Sequence, residues 1–161
     1  AVFTVMVVVA VLVASIFSIV PTLLTPARYD VPNMIRPYSP LELAGRDIYV
    51  REGCYTCHSQ QIRTLVSEVL RYGPASTMEE SAWDHPHQWG SKRTGPDLAR
   101  EGKKYPDLWH YRHMINPRDV TPNSIMPIYA WLAKDRTDFA SLPRKLSVMK
   151  QLGVPYTDYE I

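Results

Sequence analysis

Cys54-Tyr55-Thr56-Cys57-His58 is the stretch that decides how this chain is read. Cys-x-x-Cys-His is the attachment pattern of a c-type haem, and these are the only two cysteines among 161 residues. On one helical turn residues three apart share a face, so both thiols can form thioethers to the haem vinyl groups while His58 offers its imidazole to the iron. The spacing therefore points to one covalent haem c and to one-electron transfer. Other readings of the pair are weaker. Zinc needs further ligands, and His85, His87, His110 and His113 supply nitrogen without a second cysteine pair. A thioredoxin-like pair needs a strand leading into it within a βαβ pattern, whereas the residues before Cys54 read as helix. A plain disulfide is weaker still.

Upstream, residues 1–24 carry no charge and are dominated by Val, Ala, Ile, Leu, Met and Phe. Such a run can cross a hydrocarbon core of about 30 Å as one transmembrane helix. It is too long for the apolar core of a cleaved signal, about 7–15 residues, or for a buried core helix of about 10–14. Thr4, Ser15 and Ser18 can bond within their own helix, Pro21 falls near its end, and the small polar residues suit a face packed on another helix. With Ala1 first and no basic flank, a short cytoplasmic leader is expected before it, and the positive-inside rule gives no orientation. The haem gives one instead, because covalent haem c is attached outside the bacterial inner membrane. The expectation is a single-pass anchor in that membrane, its amino terminus facing the cytoplasm and the rest in the oxidising periplasm.

The formal charge of +2 and pI near 8.6 are too mild for a nucleic-acid partner. Lys92, Arg93, Arg100, Lys103 and Lys104 form a cluster that reads as a solvated face, with Arg93 the one placed to compensate a haem propionate. Fourteen prolines and few alternating apolar runs argue for helices joined by irregular loops. The expected fold is mainly α: a transmembrane helix over 1–24, a proline-rich connector over 25–39, and a periplasmic class I-like cytochrome c domain over 40–161 with long loops. Pro26, Pro32 and Pro37 stiffen the connector. Ser39 and Glu42 form a capping box that opens a helix from about Pro40 to Glu52, with Leu41, Ala44, Ile48 and Tyr49 as its apolar stripe. Gly45 is expected to admit a close helix neighbour. An insertion at about 64–91 carries Trp83, His85, Pro86, His87 and Trp89, too many rings for disorder; it reads as a surface for a partner, with a self-packed loop as the alternative.

In Arg93-Thr94-Gly95-Pro96-Asp97-Leu98, the Pro96 carbonyl is expected to accept a hydrogen bond from His58 and Leu98 to pack on the haem; a surface turn is the plain alternative. A helix from Pro106 to about Ile115 places Leu108, Tyr111 and Ile115 in register, and Asn116-Pro117 ends it. A last helix starts at residues 141–143, carries Leu142, Leu146, Met149 and Leu152 on one face, is closed by Gly153, and is expected to pack on the helix ending near Glu52. For the second axial position Met126 is the leading candidate, in a proline-bounded loop that can cross to the far side of the haem, and the four other histidines stay open as alternatives. Met6, Met34, Met78, Met114 and Met149 have structural readings.

Taken together, five runs resemble one family, the membrane-anchored mono-haem cytochrome c subunit of cbb3-type haem-copper oxidases. They are LELAGRDIY (41–49), CYTCHSQQIR (54–63), WGSKRTGPDLAR (89–100), PRDVTPNSIMPIYAWL (117–132) and GVPYTD (153–158). The resemblance implies haem attachment at Cys54 and Cys57, axial ligands His58 and Met126, and a single helix packed on the catalytic oxidase subunit. It also implies electron entry through a di-haem cytochrome c subunit and delivery to the catalytic subunit, where oxygen is reduced; the chain would be a relay within an oxidoreductase, not an enzyme alone. Thr64, Ala130 and Lys103 depart from the family pattern at loop-like sites. Two rival readings are a free-standing membrane-tethered shuttle and a haem-based gas sensor.

Overall fold

A computed structural model describes residues 1–24, 35–90 and 92–161. The described part is helical, with no strands, as the sequence predicts. Met34, Pro26, Pro32 and most of the predicted connector lie outside the described residues, as does Ser91 of the insertion. The helices are α1 (Val2–Leu24), α2 (Pro40–Arg51), α3 (Val66–Tyr72), α4 (Asp107–Ile115) and α5 (Leu142–Gln151), joined by short 3₁₀ turns.

Helix α1 is apolar on every side, and its Val2–Pro21 stretch of 20 residues, mean hydropathy 2.8, is long and apolar enough to cross a membrane. The rest of the chain does not bury it. Helix α2 begins on the predicted capping box: Ser39 Oγ accepts from Glu42 N at 3.4 Å, and Ser39 N donates to Glu42 Oε2 at 2.7 Å. Arg36 then forks onto the same carboxylate at 2.6 and 2.8 Å, and these bonds hold Glu42 down to about 2.

Helices α2 and α5 pack together, as expected, and the core sits between them. Leu43, Leu146, Met149, Val154 and Tyr156 form it, with Tyr38, Trp83 and Ile161 against its edge. Three details of the predicted faces are corrected. Leu41 is 64% exposed and Leu43 is the buried leucine, because the face turned to α5 runs through Leu43 and Ala44. Leu152 is 53% exposed: it caps α5, and after the Gly153 turn Val154 fills the core in its stead. Around Gly45 there is open space, and no helix among the described residues approaches there. Tyr156 ties the core to the start of the domain by donating to Tyr38 O at 2.6 Å, and Lys145 meets Asp47 across the helix pair at 2.6 Å.

Helix α4 differs more. Leu108 and Tyr111 are exposed, so the predicted stripe is not a core face. The helix is instead organised by a ladder of rings on its other side, Tyr105 on Trp109 at 4.1 Å and Trp109 on His113 at 4.6 Å between centroids. The insertion is folded onto the domain. Trp83 Nε1 donates to Ile35 O, Trp89 Nε1 to Ser81 Oγ, each at 3.0 Å, and the His87 ring stacks on Trp89 at 4.5 Å. Arg46 pairs with the buried Asp84, and Arg100 with Glu80 at 2.8 Å. Trp83, His87 and Trp89 are thus engaged within the folded chain, and the large apolar side chains that the insertion exposes are those of Leu65, Val66, Val69, Leu70 and Met78.

Candidate functional site

Helix α2 delivers the Cys-x-x-Cys-His run. Glu52 caps it, and Gly53 takes the left-handed conformation at φ 70°, which favours glycine and turns the chain into the 3₁₀ turn Cys54–Thr56. Cys57 N and His58 N both donate to Cys54 O, at 3.1 and 3.0 Å, so the two thiols and the imidazole emerge from one tight turn. The cysteines are half-buried and not bonded to each other, and burial pushes the Cys54 thiol up.

His58 is then gripped by the segment 93–98. Its Nδ1 lies 2.7 Å from Pro96 O. A carbonyl only accepts, so in the neutral ring Nδ1 carries the proton and Nε2 the lone pair. Gly95 passes directly over the ring: an added Cβ would stand 2.3 Å from His58 Cε1. Backbone bonds zip the two segments together, Gly95 N to Cys57 O and Leu98 N to Ser59 O, both at 2.9 Å. Tyr49 donates to His58 O at 3.4 Å, and burial pushes its phenol up to about 12. Leu98 is half-buried and lines a cleft with Tyr38, Glu42, Gln60 and Arg100.

Arg93 is bound by the protein itself. Its side chain is 17% exposed; Nε donates to Ser59 Oγ at 2.7 Å, Nη2 to Gln61 O at 2.8 Å, and Nη1 pairs with Glu68 at 2.5 Å. Glu68 also takes Arg63 N at 2.9 Å, and the Arg93 and Arg63 bonds hold its carboxyl down to about 2. These contacts make Arg93 the bolt between α3 and the segment that follows the histidine.

Met126 lies in the loop that returns from α4. Its N–H donates to Ser124 Oγ at 3.2 Å, and its carbonyl accepts from Arg118 Nη1 at 3.1 Å, so the loop is shaped from both sides. Three residues on, in the same loop, Tyr129 N donates to Met114 O at 3.0 Å, and burial above all pushes the Tyr129 phenol up. Trp131 and Arg51 fasten it to the end of α2 through Glu52 and Asp135, at 3.2 and 3.0 Å. His113 faces the same region. Burial lowers its pKa first, then His110 and His58, and its Nδ1 is a buried nitrogen with no hydrogen-bond partner among the described residues.

The donor set suits a c-type haem. Two unpaired thiols stand on one turn beside an imidazole whose Nε2 is left available by the Pro96 bond, and a thioether and an unpartnered imidazole nitrogen belong to the elements that close around them. Sequence reasoning missed Ser59, Glu68, Asp97 and Arg118. They are ordinary polar residues in the sequence; burial distinguishes Ser59, Glu68 and Asp97, and the bonds to Ser124 O and Met126 O distinguish Arg118.

A family model described as cytochrome C oxidase, mono-heme subunit/FixO matches residues 1–161, the full chain. No curated protein matches it.

Proposed function

The chain belongs to the cytochrome c oxidase mono-heme subunit/FixO family, and from that premise we propose that it is the electron-relay subunit of a cbb3-type oxidase. Membership makes it an oxidase subunit that itself carries one haem, and α1 fits a membrane-anchored subunit. The finer reading is that Cys54 and Cys57 would hold the haem covalently, His58 and Met126 would bind its iron, and the domain after α1 would be periplasmic and class I-like. Electrons would arrive from a di-haem cytochrome c subunit and leave to the catalytic haem-copper subunit.

When bound, the haem supplies a reversible one-electron iron couple. The protein's part is positional. The Pro96 carbonyl fixes the tautomer and plane of His58 and raises the basicity of Nε2. Gly95 roofs the ring, and Arg118 with Ser124 presents Met126. A methionine ligand favours ferrous iron more than a second imidazole does, which suits a carrier near the oxidising end of a chain. The observation that carries this reading is the 2.7 Å contact between His58 Nδ1 and Pro96 O beside the two free cysteines.

Two measurements test it. Haem should stay with the polypeptide through acid-acetone extraction, and mass spectrometry should show one haem added; a bare polypeptide overturns the reading. The oxidised wild type should show the weak near-red band of sulfur ligation, and Met126→Ala should abolish it. Survival of the band in the variant removes Met126, and its absence from wild type makes His113, with its unpartnered Nδ1, the ligand to test next.

A further inference from the structure

A buried carboxylate next to Pro96 has no part in the reading above. We propose that Asp97 is a positioning residue for the His58 imidazole, acting through Ser59. The Asp97 side chain is 0% exposed, and a charge so placed persists only where bonds compensate its lost hydration. They do: Oδ2 accepts from Ser59 Oγ at 2.6 Å and from Gln61 N at 3.0 Å and lies 3.5 Å from Arg93 Nη2, while Oδ1 accepts from Ala99 N at 2.8 Å. Ser59 is 1% exposed, and its hydroxyl is spoken for on both sides, giving its proton to Asp97 and accepting from Arg93 Nε at 2.7 Å.

The residue after His58 is thereby bolted to the residue after Pro96. Those two backbones set the distance between Nδ1–H and the proline carbonyl, and that bond sets the ring's plane and basicity. Asparagine cannot stand in for Asp97. Both carboxylate oxygens face donors only, so a side-chain amide must turn its NH₂ toward one of them.

The assignment rests on His58 being the iron ligand. The test compares wild type, Asp97→Asn, Ser59→Ala and the double variant as detergent-extracted holoprotein, by redox titration of the haem c absorbance and by EPR of the ferric state. A loosened, less basic imidazole stabilises ferric iron less, so both single variants should shift the potential upward and broaden the low-spin g values. Ser59→Ala changes no charge, which separates this effect from simple removal of an anion. The double variant should shift no further than Asp97→Asn alone, since one clamp is lost in each case. Wild-type potential and EPR in Ser59→Ala overturn the proposal. So does a Ser59→Ala protein that fails to attach haem, because the clamp is then a folding element. If only Asp97→Asn fails to attach haem, Ser59→Ala decides alone. A wild type without histidine-ligated low-spin haem is a different result and defeats the proposed function instead.

Discussion

At His58 the protein leaves the ring almost no latitude. Gly95→Ala would set a methyl 2.3 Å from Cε1, and the imidazole cannot swing aside while Nδ1 is bonded to Pro96 O. The substitution should cost about 1–3 kcal/mol in unfolding free energy. It should also reduce the histidine-ligated low-spin fraction in the absorption spectrum, while thioethers at Cys54 and Cys57 still form. This part of the site was legible: a Cys-x-x-Cys-His and a Gly-Pro-x-Leu stated their relation before any geometry was known. Arg93 was legible only as a cation near the motif. Its partners, Glu68 and Ser59, lie 25 and 34 residues away along the chain, and no local pattern announces such contacts.

Among the elements, α2 and α5 were readable because capping chemistry and the 3.6-residue period both mark them, and the capping box is present as expected. Leu146 is 2% exposed at their contact. Leu146→Ala should therefore destabilise the domain by about 2–5 kcal/mol, measured by urea unfolding. Helix α4 was located correctly but its face was not, since stacked rings rather than an aliphatic stripe order it, and ring stacking has no sequence period. Helix α3 is held by Glu68, whose carboxyl stands at about 2 against an ordinary 4.5. With the folded value depressed, its contribution is complete above the ordinary value and disappears as pH falls toward the folded one. Glu68→Gln should accordingly weaken the domain at neutral pH and flatten its loss of stability between about pH 4 and pH 2, read from denaturant midpoints across that range.

Among the described residues the division is between the apolar helix α1 and the helices α2–α5 with their loops. α1 is exposed along Val2–Pro21, 0% of that span being covered by the rest of the chain. Replacing residues 1–24 with a cleavable export signal should release a domain that keeps its haem but no longer sediments with membranes. Mild-detergent extraction of the native protein should bring the catalytic oxidase subunit with it; recovery of the chain alone would favour a free shuttle. The residues between anchor and domain were read as a stiff connector, and Tyr38, where that stretch ends, is already pinned to the core by Tyr156. The closeness of Gly95 to the His58 ring bears finally on assembly: with Nδ1 bonded to Pro96 O and Cε1 covered, the imidazole is already aimed, so little rotational freedom is left to lose when Nε2 takes up a ligand.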